Sequence, residues 1–470
     1  MKKKIYSTEV LEVEVMGLDS QGMGVVEYWH PPLKEGCPRK KLKLTIPQAL
    51  PGDVVRVTVP NAKGRRRVTV SYDEIVKASK DRIGFPPTDV PIAGGTPLLY
   101  MSYAAQLDYK ERLIQSFLEE KGFDSGKVRP VLGMDDPYHY RNKMELTFGK
   151  EGAIGMHQAG NFRCVIDLKD SPLAPQEVIT VKETVSEWQK DHQLPSYDKE
   201  SNTGLLRHLM VRKSHGTGEI MVAIFATEEA KVYLEETRQL VDQLQEKLSG
   251  LASVVWLKNT DIADRTQSQE SEVLFGRDYI HDQLHGYQYR LWFDTFFQPN
   301  PLQAEKMVDL VLEMGQIEKN MRVLDLFCGV GTFSMPLADR CQELAGIEIV
   351  PTSIESAKRN ALENGLENTY FISRDARKGM AELEETWGHP DLLLLDPPRS
   401  GAGGKVMRRI GRLGCQKVIY VSCNPKTLAD DLVWLREFGY ELQVVQPVDQ
   451  FPHTLHVESV VLMTRVAPTK

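Results

Sequence analysis

The sequence contains few cysteines and lacks a long apolar run, and both shortages restrict what the chain can be. The cysteines stand singly, at Cys37, Cys164, Cys328, Cys341, Cys415 and Cys423. Such spacing forms neither a disulfide framework nor a CxxC metal site, and it indicates a reduced, cytoplasmic compartment. No window approaches about eighteen uncharged apolar residues, so we expect no membrane span. The basic start of the chain has no apolar run behind it and is unlike a signal peptide.

Positive charge is also scarce, except near the beginning of the chain. The net charge is −7, but residues 1–75 carry 13 Lys and Arg against 9 Asp and Glu, a local +4 that leaves −11 for the remainder. The positive residues cluster at positions 39–43 and 63–67. Basic clusters on a small module are typical of proteins that bind phosphate backbones. Two solvated basic turns would give the same pattern, so composition leaves both interpretations open.

The chain has 470 residues, which is too long for one ordinary domain. Residues 1–75 contain alternating strand patterns separated by glycine-rich turns, which predict a small OB-like β-barrel. Residues 98–292 mix helical and strand patterns and predict a central α+β domain. In residues 293–470, strand and helix alternate regularly from Met321 onward. This alternation predicts an α/β fold with a parallel, doubly wound sheet.

The predicted C-terminal sheet carries a pattern that suits a nucleotide-like cofactor. Gly329 and Gly331 follow the first strand and permit a tight turn that opens a helix. Position 334 is Ser, where a dinucleotide fingerprint would have a third small glycine. Glu348 ends the next strand, where a carboxylate can accept hydrogen bonds from ribose hydroxyls. The arrangement therefore suits an adenosine without a pyrophosphate at least as well as it suits NAD.

A third element completes this layout. An apolar strand runs into Asp396-Pro-Pro, whose prolines stiffen the loop. A glycine turn, an acidic residue and D/N-P-P in this order resemble S-adenosylmethionine-dependent methyltransferases. In relatives that methylate exocyclic amines, an aromatic residue follows the second proline. Arg399 stands there in this chain, which disfavours an amine as the target.

Cys423 lies where a strand-forming run, residues 418–421, gives way to a polar turn. In open α/β sheets, chemistry gathers beyond the carboxyl ends of the strands, so this thiol is placed to react. The alternative is a small buried packing residue, as most free cysteines are. Sequence pattern around Cys423 alone leaves both possibilities open.

Several motifs together resemble the RNA 5-methyluridine methyltransferase family. They are Tyr140-Arg-Asn-Lys143, Leu205-Leu-Arg-His-Leu209, Phe296-Phe-Gln-Pro-Asn300, Asp325-Leu-Phe-Cys-Gly-Val-Gly331, Asp396-Pro-Pro-Arg-Ser-Gly401, Ser422-Cys-Asn-Pro425 and Phe451-Pro-His-Thr-Leu-His-Val-Glu458. The first 75 residues resemble a TRAM domain, an RNA-binding barrel, through Gly22-Met-Gly24 and Leu50-Pro-Gly-Asp-Val54. The resemblance implies a class I methyltransferase domain in the C-terminal part.

The resemblance also implies roles for single residues. Cys423 would be the nucleophile that adds to carbon 6 of uracil, and Glu458 the base that removes the carbon 5 proton. Four residues match the family's cofactor-contacting positions: Gln298, Phe327, Glu348 and Asp396. Asp396 lies in a loop expected between cofactor and target base, so it can serve both. His453 and His456 stand shortly before Glu458, and we expect them to be partly buried histidines whose hydrogen bonds are satisfied.

The chain departs from many family members in one respect. Their iron–sulfur cluster uses cysteines before the helix that begins here near Met101, but residues 82–97 contain none, and Ser171 stands at the later ligand position. Because a cluster needs about four thiolates, we expect S-adenosylmethionine as cofactor and no iron–sulfur cluster.

Three functions remain open on the sequence. The first is a monomeric enzyme that forms 5-methyluridine in 23S ribosomal RNA, which the TRAM-like segment favours. The second is the same chemistry on a transfer RNA loop or on cytosine. The third is a non-catalytic RNA-binding protein. A uridine within folded RNA must leave its stack to enter such a site.

Overall fold

The computed structural model describes residues 9–30, 40–60, 66–84, 95–158, 161–261 and 268–466. The chain divides into two compact units. The first comprises Met1–Tyr109, Gln158–Phe162 and Phe451–Leu455, and the second comprises Lys110–His157, Arg163–Gln450 and His456–Lys470. The three domains predicted from the sequence are a finer division and stay a prediction. In the part of the chain described above, no helix has the length and hydrophobicity needed to cross a bilayer.

The first unit contains the predicted N-terminal β domain. Its strands are β1 (Glu9–Glu14), β2 (Gly17–Leu18), β3 (Gly24–His30), β4 (Lys40–Ile46), β5 (Val54–Val59), β6 (Arg67–Thr69) and β7 (Tyr72–Lys77). They form a sheet of order β1-β5-β7 and a sheet of order β2-β3-β4-β6. Alternate side chains of β4 and β5, including Leu42, Leu44, Val55 and Val57, enter one shared core, as expected of half-buried strands.

The turn at residues 50–53 is organised by one buried carboxylate. Asp53 accepts hydrogen bonds from the backbone N–H groups of Leu50 at 2.6 Å and Ser79 at 2.8 Å. It also pairs with the Arg82 guanidinium at 2.5 Å, and both side chains are buried. Gly52 has φ of +85°, a conformation that glycine adopts without strain. The Leu-Pro-Gly-Asp motif is therefore a turn closed by its own aspartate.

The chain passes to the second unit within α1 (Tyr103–Glu120). Next come β8 (Lys143–Phe148), β9 (Ile154–Gln158), β10 (Asn161–Asp167), α2 (Gln176–Asp191), β11 (Leu206–Lys213), β12 (Ile220–Ala226), α3 (Leu234–Lys247), β13 (Leu251–Lys258) and β14 (Glu270–Gly276). The strands form one sheet of order β10-β9-β8-β11-β12-β13-β14. Helices α2 and α3 contribute to its core, which confirms the predicted α+β character of this part. A hairpin follows, β15 (Tyr279–Leu284) and β16 (Tyr287–Trp292).

The rest of the second unit alternates helices and strands. Its elements are α4 (Pro301–Gly315), β17 (Arg322–Leu326), α5 (Ser334–Ala338), β18 (Glu343–Glu348), α6 (Pro351–Glu363), β19 (Thr369–Ser373), α7 (Ala376–Thr386), β20 (Leu392–Leu395), α8 (Gly404–Leu413), β21 (Lys417–Ser422), α9 (Pro425–Arg436), β22 (Tyr440–Val448) and β23 (Glu458–Arg465). The sheet order is β19-β18-β17-β20-β21-β23-β22. The predicted doubly wound sheet is confirmed, and its strand order reverses between β17 and β20, where such sheets bind ligands.

One strand departs from the parallel arrangement expected from the sequence. β23 pairs antiparallel with both β21 and β22. Nine residues, 449–457, join β22 to β23 without a helix, and antiparallel neighbours need no helical crossover. This reversal brings the start of β23 to the same edge of the sheet as the end of β21.

Candidate active site

The turn after β17 has the tight shape that its glycines predict. Gly329 and Gly331 have φ of +54° and +89°, and a Cβ at position 331 would lie 2.3 Å from Met335 Cε. Phe327 also has positive φ, at +63°, which is uncommon for an aromatic residue. The backbone N–H groups of Phe327 and Cys328 both donate to the Ile347 carbonyl, at 2.8 and 3.2 Å. The turn is thereby fastened to the neighbouring strand, β18.

Asp325 is a functional candidate that the sequence reasoning missed. It is 1% exposed, and its Oδ2 accepts a hydrogen bond from Ser334 Oγ at 2.5 Å. Its Oδ1 is buried without a hydrogen-bond partner in the described structure. Burial, assisted by the negative Glu348, raises the pKa of Asp325 to about 7. Ser334, which breaks the dinucleotide fingerprint, is thus the partner of this carboxylate, and Oδ1 remains to accept a proton or a donor from a ligand.

Glu348 ends β18 beside the same turn. Its Oε1 accepts a hydrogen bond from the Val350 backbone N–H at 2.9 Å, so the carboxylate is oriented by its own loop. The next two side chains, Ile349 and Val350, are exposed apolar groups. A carboxylate beside an exposed apolar surface and a glycine turn fits an adenosine, because the ribose needs acceptors and the base needs an apolar contact. The residues present therefore fit the expected cofactor.

Gln298 is held immediately before α4. Its Oε1 accepts a hydrogen bond from Gln450 Nε2 at 3.1 Å, and its backbone carbonyl accepts one from Asn142 Nδ2 at 2.9 Å. Asn300 caps α4 by accepting from the Gln303 backbone N–H. These contacts fix the segment and leave the amide NH₂ of Gln298 as its remaining donor. Phe296, two residues earlier, is 70% exposed, which the sequence did not indicate.

Cys423 and Glu458 are brought together by strand register. Ser422, the last residue of β21, pairs with Ser459 of β23, so Cys423, which follows Ser422, and Glu458, which precedes Ser459, flank the last pair of the ladder. Asp396 directly follows β20, the other neighbour of β21. These three predicted residues therefore lie at one edge of the sheet. The turn after β17 and Glu348 at the end of β18 lie at this edge too.

The electrostatics of this edge are dominated by buried acids. Burial, with Glu458 and Asp396 nearby, raises the pKa of the Cys423 thiol to about 11. Glu458 is 5% exposed, and burial beside Asp396 raises its pKa well above the usual range. Arg399 opposes both shifts, because its positive charge lowers the pKa of the thiol and of Glu458. In the described structure Glu458 Oε2 has no hydrogen-bond partner, so it is a buried acceptor available to a ligand.

The two histidines before Glu458 differ from one another. In the first unit, His453 is buried, its Nδ1 lies 3.1 Å from Gln106 Nε2, and its backbone N–H donates to Gln106 Oε1 at 2.8 Å. His456, in the second unit, has its pKa lowered to about 4 by burial and by the charges of Arg399, Lys110 and Arg141. His456 is therefore neutral at physiological pH, and His453 has the structural role expected of it.

A cavity lies beside the glycine turn. A cavity of about 640 Å³ touches the glycine turn through Val330 and the loop after Glu348 through Val350, and Trp292 and Arg359 also line it. Among the residues that the structure describes, no group of three or more His, Cys, Asp or Glu could hold a metal ion. Cys37 lies outside the described residues.

The buried Asp325 should make the stability of the protein depend on pH. Its folded-state pKa is raised to about 7, so stability present at low pH is lost as pH rises from about 4 through 7. Between pH 5 and pH 7.5, the free energy of unfolding of the wild type should fall by about 2 kcal/mol more than that of Asp325→Asn, because the variant lacks this titrating group. Urea unfolding at both pH values measures this. Asp242→Asn, on the exposed face of α3, is the control; an equal effect of both substitutions would contradict the assignment.

Comparisons with known proteins identify the family to which this chain is similar. The model of the family tRNA (Uracil-5-)-methyltransferase matches residues 220–466. An uncharacterized RNA methyltransferase of Clostridium tetani is 33% identical over 99% of this chain and 98% of its own length. Another, from Halalkalibacterium halodurans, is 34% identical over 98% of each.

A solved structure shares the fold. The Pyrococcus abyssi tRNA (uracil-54, C5)-methyltransferase in complex with S-adenosyl-L-homocysteine matches with a TM-score of 0.73 and 24% identity. The match covers 97% of this chain and all of that one. At this identity the similarity establishes the architecture, and the site residues rest on the geometry described above.

Proposed function

Because this chain belongs to the tRNA (uracil-5-)-methyltransferase family of S-adenosylmethionine-dependent RNA methyltransferases, we propose that it methylates carbon 5 of a uridine through a covalent adduct with Cys423. The observation that carries this proposal is that Cys423 and Glu458 flank the last pair of the β21–β23 ladder, Ser422 with Ser459, at the cofactor edge of the sheet. A nucleophile and a base at one position are what this chemistry requires, whereas an RNA-binding protein without activity requires neither.

The roles follow from the reactivity of uracil. Carbon 5 is a poor nucleophile until a thiolate adds to carbon 6, which makes the ring an enolate that is nucleophilic at carbon 5. S-Adenosylmethionine, when bound, supplies the methyl group as an electrophile. The methylated ring still carries the carbon 5 proton. Glu458 removes that proton, the carbon 5–carbon 6 double bond forms again, and the sulfur of Cys423 leaves.

The cofactor-holding residues are assigned in the same proposal. Glu348 would accept hydrogen bonds from the ribose, and the backbone around Phe327 would approach the adenosine closely. Gln298 would donate its amide NH₂, and Asp396 would stand between the cofactor and the target base. Phe296 has an exposed ring near Gln298 and offers a surface on which a flipped base could stack.

The substrate RNA is proposed to be ribosomal, with the N-terminal β domain contributing to binding. In that domain Trp29 is 55% exposed and stands opposite Lys41. Lys43 on β4 lies beside Arg67 on β6, so parts of both basic clusters occupy neighbouring strands. An aromatic ring among cations suits single-stranded nucleic acid, with stacking on the base and charge on the phosphates. Positions 39 and 63–65 lie outside the described residues.

Substitutions on this surface should weaken RNA binding without affecting the cofactor. We expect Trp29→Ala to weaken binding about tenfold, because base stacking contributes about 1–3 kcal/mol. We expect Lys43→Gln to reduce the slope of log binding constant against log salt concentration by the amount that corresponds to about one phosphate contact. Filter binding over a salt series measures both. Val10→Ala, an exposed apolar residue of the other sheet, is the control, and equal losses for Trp29→Ala and Val10→Ala would contradict the surface.

The function as a whole is tested with unmodified total RNA and labelled S-adenosylmethionine. The RNA is separated into ribosomal and transfer fractions, and its nucleosides are identified after digestion. We expect label in 5-methyluridine of 23S ribosomal RNA, with the enzyme acting as a cytoplasmic monomer. Label in transfer RNA would show that transfer RNA is the substrate and that the proposed chemistry is correct. Label in 5-methylcytidine would show that the target base is cytosine. No label in any RNA would contradict the proposal.

A further inference from the structure

The loop after Asp396 is fastened to the helix that begins just after Cys423. Residues 398–403 of this loop form a turn in which the Gly401 backbone N–H donates to the Pro398 carbonyl at 2.8 Å. The carbonyl of Arg399 accepts a hydrogen bond from Asn424 Nδ2 at 2.9 Å and one from Thr427 Oγ1 at 3.4 Å. Asn424 is also the cap of α9. The two segments that carry Arg399 and Cys423 are therefore joined near their functional residues.

A third attachment is made by Asp431, farther along α9. Its side chain is buried, with the residue only 4% exposed. Its Oδ2 accepts hydrogen bonds from the Ala402 backbone N–H and the Tyr420 hydroxyl, each at 2.7 Å. Its Oδ1 accepts one from the Gly403 backbone N–H at 3.1 Å. One carboxylate thus holds two consecutive backbone donors of the loop and one side chain of β21.

The loop is shaped to admit this carboxylate. Gly401 has φ of +78°, and a Cβ there would lie 2.7 Å from Asp431 Oδ2. All three of the donors named above are neutral. Burying a carboxylate with neutral donors alone is costly, and an apolar side chain would avoid the cost. The contribution of Asp431 is therefore geometric: its carboxylate holds both N–H groups at once, with the Gly403 N–H shared between Oδ1 at 3.1 Å and Oδ2 at 3.4 Å.

The residue that depends on this geometry is Arg399. Its side chain is exposed, so burial does not restrain it, and its position is determined by the backbone from which it extends. Its charge acts on both Cys423 and Glu458. A thiol beside two acids is a poor nucleophile unless a cation favours its ionised form.

We propose that Asp431 is a positioning residue for methylation: by holding the 398–403 turn on α9, it fixes Arg399 beside the Cys423 thiol. The inference rests on the proposed function of Cys423 and extends it to a residue that touches neither RNA nor cofactor. Its effect should appear in the chemical step, because the cofactor turn and Glu348 lie on other strands of the sheet. Asp396 precedes the held turn, and its backbone N–H is bonded to the Leu326 carbonyl of β17.

The test compares Asp431→Asn with Tyr420→Phe. The amide retains one acceptor and turns an NH₂ toward a backbone N–H, so residues 402–403 lose part of their attachment to α9 and the turn depends on the weaker hold of Asn424 and Thr427 on the Arg399 carbonyl. We expect kcat to fall about 10–100-fold, as a displacement of about 1 Å can cause, with the S-adenosylmethionine Kd unchanged. Adduct formation should be slower than in the wild type at each pH between about 7 and 9, because the thiol loses the cation that favours its ionisation. Tyr420→Phe removes a donor from the same carboxylate but leaves the loop attached, so it should lower Tm and retain the wild-type kcat and pH profile.

The proposal is overturned if Asp431→Asn lowers only Tm and keeps the wild-type kcat and pH profile. If that variant does not fold, Gly401→Ala provides the same test from the loop side, because its Cβ displaces the carboxylate; wild-type kcat and pH profile in Gly401→Ala would equally overturn the proposal. Wild-type protein without activity on any RNA would refute the proposed function instead. An active wild type with unaffected Asp431 and Gly401 variants would refute only the positioning role.

Discussion

Cys423→Ala is expected to abolish both RNA methylation and the covalent protein–RNA adduct. Without a thiolate at carbon 6, carbon 5 of uracil is not nucleophilic, and loss of an enzyme nucleophile commonly costs a factor of 10⁴ or more, so we expect a fall of at least about 10⁴ in kcat. S-Adenosylmethionine binding should remain, because the cofactor candidates lie on other strands. Methyl incorporation, denaturing gels and calorimetry measure the three quantities.

The control for this variant is Cys164→Ala, on β10 in the central sheet, which should retain full turnover. The pH dependence provides a second check. Burial and neighbouring acids raise the pKa of the Cys423 thiol to about 11, so the thiolate fraction grows about tenfold for each pH unit. Adduct formation by the wild type should therefore accelerate between about pH 7 and 9. Formation of 5-methyluridine by Cys423→Ala at the normal rate would show that another group attacks the base.

Glu458→Gln is expected to trap the enzyme on its RNA. The amide preserves the size of a side chain that is almost fully buried, but it cannot accept the carbon 5 proton. Addition and methyl transfer should proceed, while elimination of Cys423 should slow by about 10²–10⁴, the usual range for a general base. A shifted protein band that carries the labelled methyl group should accumulate on a denaturing gel.

The matched control is Glu441→Gln, an exposed carboxylate on β22, which should leave no trapped band. In the wild type, the raised pKa of Glu458 means that it is protonated and unable to act as a base at low pH. The release step should therefore slow as pH falls. Release of methylated RNA by Glu458→Gln at the wild-type rate would assign proton removal to another residue.

Much of the C-terminal part could be predicted from local pattern. The sequence pattern predicts strands at residues 369–373 and 392–395, and β19 and β20 have these bounds. It also predicts strands at residues 323–327, 344–349 and 418–421, from which β17, β18 and β21 differ by one residue at each end. Four of them, β17, β18, β20 and β21, are almost fully buried, whereas the edge strand β19 is partly exposed. Each buried strand is a short, mostly apolar run between turns. The glycine turn, Glu348 and Asp396 could be found because each lies at or just beyond the end of such a strand.

Other features could not be found because they depend on partners distant in the sequence. β4 has lysines at positions 41 and 43, which belong to one of the basic clusters of the sequence. Leu42, Leu44 and Ile46, between and beyond these lysines, form its buried face. Ser334 looks like a missing glycine until Asp325 is placed beside it. Asp431 lies on a helix whose pattern gives no sign of the backbone groups it binds. In each case the partner is supplied by tertiary structure.

The reversed direction of β23 has a consequence for how substrate binding and catalysis are divided. If β23 ran parallel to β21, its first residue would stand at the opposite edge of the sheet, roughly 20 Å away for a six-residue neighbour. Instead, the ladder of backbone hydrogen bonds between the two strands sets the spacing of thiol and carboxylate. Such a ladder is among the last parts of a domain to open. In the proposed mechanism, Cys423 and Glu458 are therefore positioned before any RNA arrives, and the binding energy of the RNA is available to extract the uridine from its stack.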